Sequence, residues 1–247
     1  MRRFFVPPEA FAGDEAVLPD EVTHHLKTVL RLSVGDELLL LDGLGSLFHC
    51  RLETLGKHTA TALILEHWSE QETALPVQLI QALPKGDKME LVLQKGTELG
   101  INAFSPVLSE RGIPQHSDQR RSNRQQRWQK VVQEAARQCR RPILPRLDEV
   151  QPLVGVLTDC RASLRLMLWE EESLPLAAAL PEAPPASAAI LVGPEGGFSS
   201  GEAALARRHG FQSVRIGPRI LRSETAGFAV ASILQYIYGD LGPPSGG

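Results

Sequence analysis

Cysteine is scarce in this chain of 247 residues: Cys50, Cys139 and Cys160 are an odd number with no C-x-x-C pair. Neither a disulfide framework nor a structural zinc site can be drawn from them, and a reducing cytosol is the compartment they predict. No H-E-x-x-H or comparable histidine spacing occurs, so no metal is expected. His49, His58, His67, His116 and His209 read as surface or core residues. Long hydrophobic runs are missing too. Nothing approaches the ~18 apolar residues of a membrane span. The opening MRRFFVPPEAF has only Phe4, Phe5 and Val6 before Pro7, short of the roughly 7–15 apolar residues of a signal peptide. A cytoplasmic protein without membrane attachment is the expectation.

What is present is an ordinary globular balance: 43% hydrophobic and 22% charged residues, with 18 prolines and 21 glycines. That mixture excludes wholesale disorder, collagen-like structure and a coiled coil, and so many turn residues argue against a plain helix bundle. The net charge of −3 conceals an asymmetry. Residues 111–146 carry ten Lys or Arg against Asp118 and Glu134, a local +8 that leaves −11 for the rest. Screening acts over ~8 Å at physiological salt, so a polyanion responds to this patch rather than to the total. Within it, Trp128, Val131, Val132, Ala135, Ala136 and Cys139 recur at helical spacing. Arg124, Arg127, Lys130, Arg137 and Arg141 lie off that stripe. Arginine outnumbers lysine nine to one there, which suits bidentate phosphate contacts. A solvated helix face and a nucleic-acid surface both fit the run; the +8 excess favours the second.

Residues 1–72 read as a small β unit. A helix from Asp20 to about Arg31 precedes strands at 34–43, 47–55 and 59–66, the first closed by Asp42-Gly43, a hairpin signal. Three or four antiparallel strands and a helix predict a small barrel or half-barrel, followed by a linker at 69–76. From Val77 strands and helices alternate, the mark of an α/β domain with a mostly parallel sheet. Strand 77–83 precedes a helix with Asp87 as cap and Glu90 at the reciprocal position, ending at Gly100. Strands at 103–108, 165–169, 187–193 and 213–217 follow, with helices at 201–210 and 224–239. Met89, Val92 and Leu93, and Ala229, Ile233, Tyr236 and Ile237, read as core faces, with a dimer surface as an alternative for part of them. The last five residues read as frayed.

Two strand ends carry the chemistry. Ala188 to Val192 runs into Gly193-Pro194-Glu195-Gly196-Gly197-Phe198, and glycine backbone there lets a ligand approach closely at the carboxyl edge of a sheet. It is neither a G-x-G-x-x-G fingerprint nor a Walker loop. The second end is Ile216-Gly217-Pro218-Arg219-Ile220-Leu221-Arg222-Ser223-Glu224. Ser223 as a helix cap and Glu224 as a first-turn acid are sufficient explanations of those two. Arg219 and Arg222 are misplaced as cations at a helix N-terminus, and an anionic or strongly polar substrate would account for them.

The segments LVGPEGGFS, IGPRILRSETA and KGDKMELVLQKGTELGI, with the opening RRFFVP, HHLKTVLRLSVGDEL and the basic stretch RWQKVVQEAARQCRR, resemble the RsmE family. These are 16S ribosomal RNA (uracil-N3)-methyltransferases of the SPOUT superfamily, and the resemblance covers nearly the whole chain. It implies a C-terminal α/β trefoil-knot domain over 76–247, holding S-adenosyl-L-methionine, and an N-terminal PUA-like RNA-binding β-barrel domain over 1–72. It also implies a homodimer and no metal. The substrate it implies is N3 of a uridine in 16S ribosomal RNA or the small ribosomal subunit, nucleotide 1498 in the usual ribosomal numbering. The cofactor loops then fall on Leu168, Trp169 and Glu170, on Gly193, Pro194, Glu195, Gly196 and Gly197, and on Ile216, Gly217, Arg219 and Leu221.

Uracil N3 carries a proton that must leave before it attacks a methyl group. Glu224 is the candidate base, with a structural role at the helix end as the alternative, and Arg222 the candidate for stabilising negative charge on the uracil oxygens. RNA contacts are expected from Arg2, Arg3, Lys27 and Arg31 in the first domain, and from Arg120, Arg124, Arg127, Arg137, Arg140 and Arg141. Lys85, Lys88 and Lys95 with Glu98 fit either the same cleft or an exposed helix face. A non-catalytic RNA-binding module and a SPOUT enzyme acting on transfer RNA are the competing readings.

Overall fold

The computed structural model describes residues 1–72, 75–112 and 118–242, without the side chains of 118–120. His116, part of the 69–76 linker and the last five residues lie outside the described residues. The chain divides into two compact units. The first comprises Met1–Glu72 with Ala136–Leu144, the second Thr73–Ala135 with Pro145–Gly247.

In the first unit β1 (Arg3–Phe5), β2 (Phe11–Ala12), β3 (Glu15–Leu18), α1 (Asp20–His24), β4 (Glu37–Leu41), β5 (Ser46–Leu55) and β6 (Ala60–Ser69) follow in order. Among the described residues its strands form one sheet, β1-β4-β5-β6-β3-β2. All pairs are antiparallel except β1 with β4, which run parallel; the expected three or four antiparallel strands thus gain partners too short to show a period. The run of four leucines in β4 follows from strand geometry, because successive side chains point to opposite faces. Leu38 and Leu40 enter one cluster with Phe4, Leu18, Leu26 and Leu52. Leu39 and Leu41 enter another with Phe5, Leu47 and Ala136. Each such leucine contributes roughly 1.5–3 kcal/mol of burial. At the β4–β5 turn Asp42 Oδ1 accepts from the amides of Leu44 (2.7 Å) and Ser46 (2.9 Å).

Two expectations need correction here. The helix expected from Asp20 to Arg31 is α-helical only to His24. It widens into a π turn over His25–Val29, closed by Leu32 N donating to Leu26 O, and Arg31 takes a left-handed φ of 53°. Residues 136–144, placed by the sequence in the second domain, pack with the first unit. Ala136 and Leu144 cover the second face of β4, and Arg141 makes a fork to Glu72 (2.7 and 2.6 Å) with both side chains nearly buried. Cys50 sits in this core, where burial pushes its thiol up to about 11, so it is a packing residue and not a nucleophile.

The second unit holds β7 (Val77–Ala82), α2 (Lys88–Glu98), β8 (Ala103–Leu108), α3 (Asp118–Cys139, whose last residues belong to the first unit), β9 (Arg146–Leu147) and β10 (Gln151–Pro152). Then come α4 (Leu153–Asp159), β11 (Leu164–Leu168), β12 (Leu174–Pro175), α5 (Leu176–Ala179), β13 (Ala188–Val192), α6 (Ser200–Arg208), β14 (Gln212–Arg215) and α7 (Ser223–Tyr238). The strand order is β10-β8-β7-β13-β11-β14-β12, with β9 beside β8, and every pairing is parallel. β13 is buried on both faces, as a central parallel strand must be. Ile190 and Val192 pack with Met89, Val92 and Leu93 of α2, Trp128 and Val132 of α3 and Val230 and Leu234 of α7. Ala189 and Leu191 pack with Leu157 of α4 and Ala203 and Ala206 of α6. The sheet therefore lies between two helical layers.

The helix ends differ from expectation. Asp87 precedes α2 but makes no side-chain cap, and the Glu90 carboxylate instead pairs with Arg127 (Nε–Oε1 2.6 Å). A full capping box stands at α6: Ser199 Oγ accepts from Glu202 N (3.2 Å) and Glu202 Oε2 from Ser199 N (2.9 Å). On α7 the buried stripe is Ala226, Val230, Ala231 and Leu234, whereas Tyr236 and Ile237, read from sequence as core or dimer surface, are exposed in the single chain.

Candidate active site

β13, β11 and β14 run side by side in the same direction, so the loops leaving their carboxyl ends are neighbours. Ligands of parallel α/β sheets bind outside those ends. Here the loops enclose a cavity of about 820 Å³, with walls from Leu168–Glu171, Val192–Phe198 and Val214–Ser223. Leu168, Trp169, Gly193, Pro194, Glu195, Gly196, Gly197, Ile216, Gly217, Arg219 and Leu221 all line it, and so does Arg222. β11 and β14 end one and two residues before the expected strand ends, which releases Trp169, Ile216 and Gly217 to the wall. Glu224 does not line the cavity. Arg111, the first of the ten cations of the basic segment but not among the expected site residues, does, as does Lys88.

The loop after β13 is tied to its surroundings at three points. Gly193 O accepts from Ser223 Oγ (2.5 Å), and Ser223 Oγ accepts from Gln81 Nε2 (3.0 Å). Ser223 is therefore not the helix cap expected; Arg222 occupies that position without a side-chain cap bond. The hydroxyl of Ser223 instead joins the end of β7 to the glycine loop within the buried interior. Gly196 O accepts from Arg111 Nη1 (2.9 Å). Glu195 accepts from Lys85 N (3.0 Å) and Lys88 Nζ (2.9 Å). Burial opposes ionisation of Glu195, but the Lys88 hydrogen bond and the backbone amides outweigh it and hold its carboxyl below the usual range. Two of the glycines suit this course for different reasons, one steric and one conformational. A Cβ on Gly193 would stand 3.3 Å from Gly197 and Phe198, and Gly197 has a φ of 68°.

The loop after β14 has less support. Gly217, Pro218, Arg219, Ile220 and Arg222 are exposed, Ile220 at 77%. The Arg222 side chain is 81% exposed, and its Nη1 lies 3.9 Å from Glu224 Oε1. Glu224 is nearly buried, with Oε2 3.3 Å from Lys88 Nζ and no well-directed hydrogen bond to that oxygen. On the third wall the Arg207 guanidinium stacks 5.1 Å over the Trp169 ring while pairing with Glu172 (2.8 Å), an arrangement that fixes the indole.

The expected RNA contacts are unequal. Arg120 lies outside the residues whose side chains are described. In the first unit Arg2 donates to Leu30 O, Arg3 to Arg140 O and Lys27 to Gly56 O, all at exposed positions, and Arg31 is exposed. Arg124 stacks 5.0 Å over Trp128, and burial followed by the neighbouring Arg121 lowers its pKa. Arg127 pairs with Glu90, Arg137 is half-buried and Arg140 exposed. Arg141 is the least exposed of the set: its Nε and Nη2 form the fork to Glu72, and its side chain is 10% exposed. Among the described residues no three His, Cys, Asp or Glu side chains converge as a metal site, and no helix is long and apolar enough to cross a membrane.

A family model for an RNA methyltransferase domain matches residues 71–235, and one for an RNA methyltransferase PUA domain matches residues 18–65. A ribosomal RNA small subunit methyltransferase E of Bacillus subtilis is 31% identical over 248 residues, 96% of this chain and 96% of its own. The protein of that name from Synechocystis is 38% identical, over 91% of this chain and 74% of its own. The chain belongs to the ribosomal RNA small subunit methyltransferase E family. A solved member of that family, from Neisseria gonorrhoeae and bound to S-adenosyl methionine, superposes with a TM-score of 0.88 at 35% identity, over 97% of this chain and 99% of the other. A methyltransferase from Legionella pneumophila with bound S-adenosylmethionine gives 0.85 at 33% identity, over 94% and 96%. The fold of the second unit is thus that of the family's α/β methyltransferases, and the first unit holds the family's PUA domain.

Proposed function

We propose that this protein transfers the methyl group of S-adenosyl-L-methionine to N3 of a uridine in small-subunit ribosomal RNA, uridine 1498 in the usual ribosomal numbering, as a cytoplasmic homodimer. The observation that carries the reading is the convergence of three parallel strand ends on one cavity, glycine backbone on one side and arginines on the other. The cradle suits the cofactor. Gly193, Gly196 and Gly197 present main chain to the cavity, and Leu168, Ile216 and Leu221 offer apolar surface to an adenine ring. When bound, S-adenosylmethionine supplies an electrophilic methyl group on a sulfonium.

The chain's own groups would do the rest. The walls orient the donor, and positioning supplies much of the rate of such a displacement. Arg222, exposed at the cavity, is the group proposed to face the uracil oxygens and stabilise the charge left as the N3 proton departs. Glu224 is proposed as acceptor of that proton, supported by its position beside Arg222. The domains assigned to these roles are 1–72, with the 136–144 segment packed on it, for RNA and the remainder from residue 76 for catalysis.

RNA affinity is assigned to Arg2, Arg3, Lys27 and Arg31 and to Arg120, Arg124, Arg127, Arg137, Arg140 and Arg141, and a recognised base must be unpaired to enter the cavity. Each phosphate neutralised steepens the log–log salt dependence of binding by roughly 0.7–0.9. The exposed Tyr236, Ile237 and Leu241 supply an apolar patch suited to self-association. The deciding experiment incubates the protein with labelled S-adenosylmethionine and small subunits from cells lacking the modification, then maps the RNA by mass. One added methyl, at N3 of one uridine, supports the reading. Cofactor binding without methyl transfer would make the chain an RNA-binding module, and methyl transfer to transfer RNA would move it to another substrate.

A further inference from the structure

Lys88, the first residue of α2, reaches two carboxylates that lie far from it in sequence. Its ammonium is 2.9 Å from Glu195 Oε1 in the glycine loop and 3.3 Å from Glu224 Oε2 at the start of α7. Neither contact is the i, i+4 pair of an exposed helix face. Glu224 is only 10% exposed and the other two about a third, so solvent screens the cluster less than a surface pair. The hydrogen bond to Glu195 and the pairing with Glu224 outweigh burial and raise the Lys88 pKa, so the ammonium stays charged. With Arg222 3.9 Å from the other oxygen of Glu224, two cations face two anions. Lys88 therefore has no spare charge for an RNA phosphate. What it does have is a place between the loop that cradles the cofactor and the residue proposed to take the proton.

We propose that Lys88 is a positioning residue that clamps the glycine loop to the start of α7, holding Glu224 in place so that Arg222 is free to turn to the substrate. The inference rests on the reading of the cavity as a methyl-transfer site. Without Lys88 the Glu195 and Glu224 carboxylates would face each other with one fewer cation between them, and the loop and the helix start would separate. Replacing Lys88 should then weaken both the cofactor cradle and the chemical step, but not RNA affinity, which is assigned to other residues.

The test compares the unmutated chain with Lys88→Met, Lys88→Arg, Glu224→Gln and the Lys88→Met/Glu224→Gln double variant. Urea unfolding without ligand gives the coupling between the two positions, and the clamp requires effects that are clearly non-additive. In turnover, Lys88→Met should lower kcat about tenfold and raise KM for S-adenosylmethionine about tenfold, leave the Kd for RNA unchanged, and be largely rescued by Lys88→Arg. Additive unfolding effects, or a Lys88→Met enzyme with unmutated kcat and KM, would overturn the proposal. Should Lys88→Met fail to fold, Glu195→Gln removes one arm and must shift KM in the same direction; an unchanged KM overturns the clamp. If the unmutated chain binds no S-adenosylmethionine, the functional reading falls by itself, and the ligand-free cycle still decides: non-additivity keeps the clamp and additivity removes it.

Discussion

The loop after β13 and the loop after β14 face one cavity with unequal support. Gly193 to Gly197 is fastened by Ser223, Arg111, Lys85 and Lys88. Ile216 to Arg222 places an exposed isoleucine and two exposed arginines in solvent. A preorganised wall loses little entropy when it meets a ligand, whereas a bare wall has side chains still free to adopt the geometry of a second one. The difference teaches a division of labour: the fixed loop suits the small donor, while the exposed arginines of the bare loop suit the larger RNA. It also explains why cations can sit at the start of α7 although the helix dipole disfavours them. In the proposed function they serve a ligand outside the helix.

Breaking the bare wall at its charge should have the largest effect. Arg222→Ala is expected to lower methyl transfer by about 10²–10³-fold while S-adenosylmethionine binds within a few-fold of normal, read by turnover and calorimetry. Intact turnover would show that the exposed arginine has no part in the chemistry. Ser223→Ala attacks the fixed wall instead. It leaves the Gly193 carbonyl and the Gln81 amide without their shared partner and should cost about 1–3 kcal/mol in urea unfolding, with cofactor affinity falling in parallel.

Gly197→Ala tests whether the turn itself matters. A Cβ meets no atom there, but a φ of 68° strains any L-residue by about 1–2 kcal/mol, so stability should fall by that amount in the same assay. Ile220→Ser should be the smallest. An exposed site changes stability by about 0.5 kcal/mol or less, so a normal unfolding curve with weaker RNA binding would sharpen the contrast between the walls. A large loss of stability would erase it.

How far the sequence could be read depended on how local each cause is. β4 and β13 are apolar runs of strand length, and the glycines after β13 stand at a strand end, so both were legible. β9, β10, β12 and α5 are too short to set up a period, and they passed unseen with α4. Ser199 and Glu202 have the spacing of a capping box and could have been found. Ser223 could not be assigned its role, since its partners Gly193 and Gln81 are remote in the chain. Arg141 is the same case. Its charge reads from sequence as part of a phosphate surface, but its partner Glu72 is remote in the chain, and so is the attachment of residues 136–144 to the first unit. Lys88 could be placed near the cleft from sequence, but its two carboxylates could not.

The most direct test of the central claim is a crystal structure of the chain with S-adenosylmethionine. The account predicts the donor between Gly193–Gly197 and Ile216–Leu221, with its methyl group turned toward Arg222. Donor density at another site, or a cavity closed by protein with no density in it, would contradict the account.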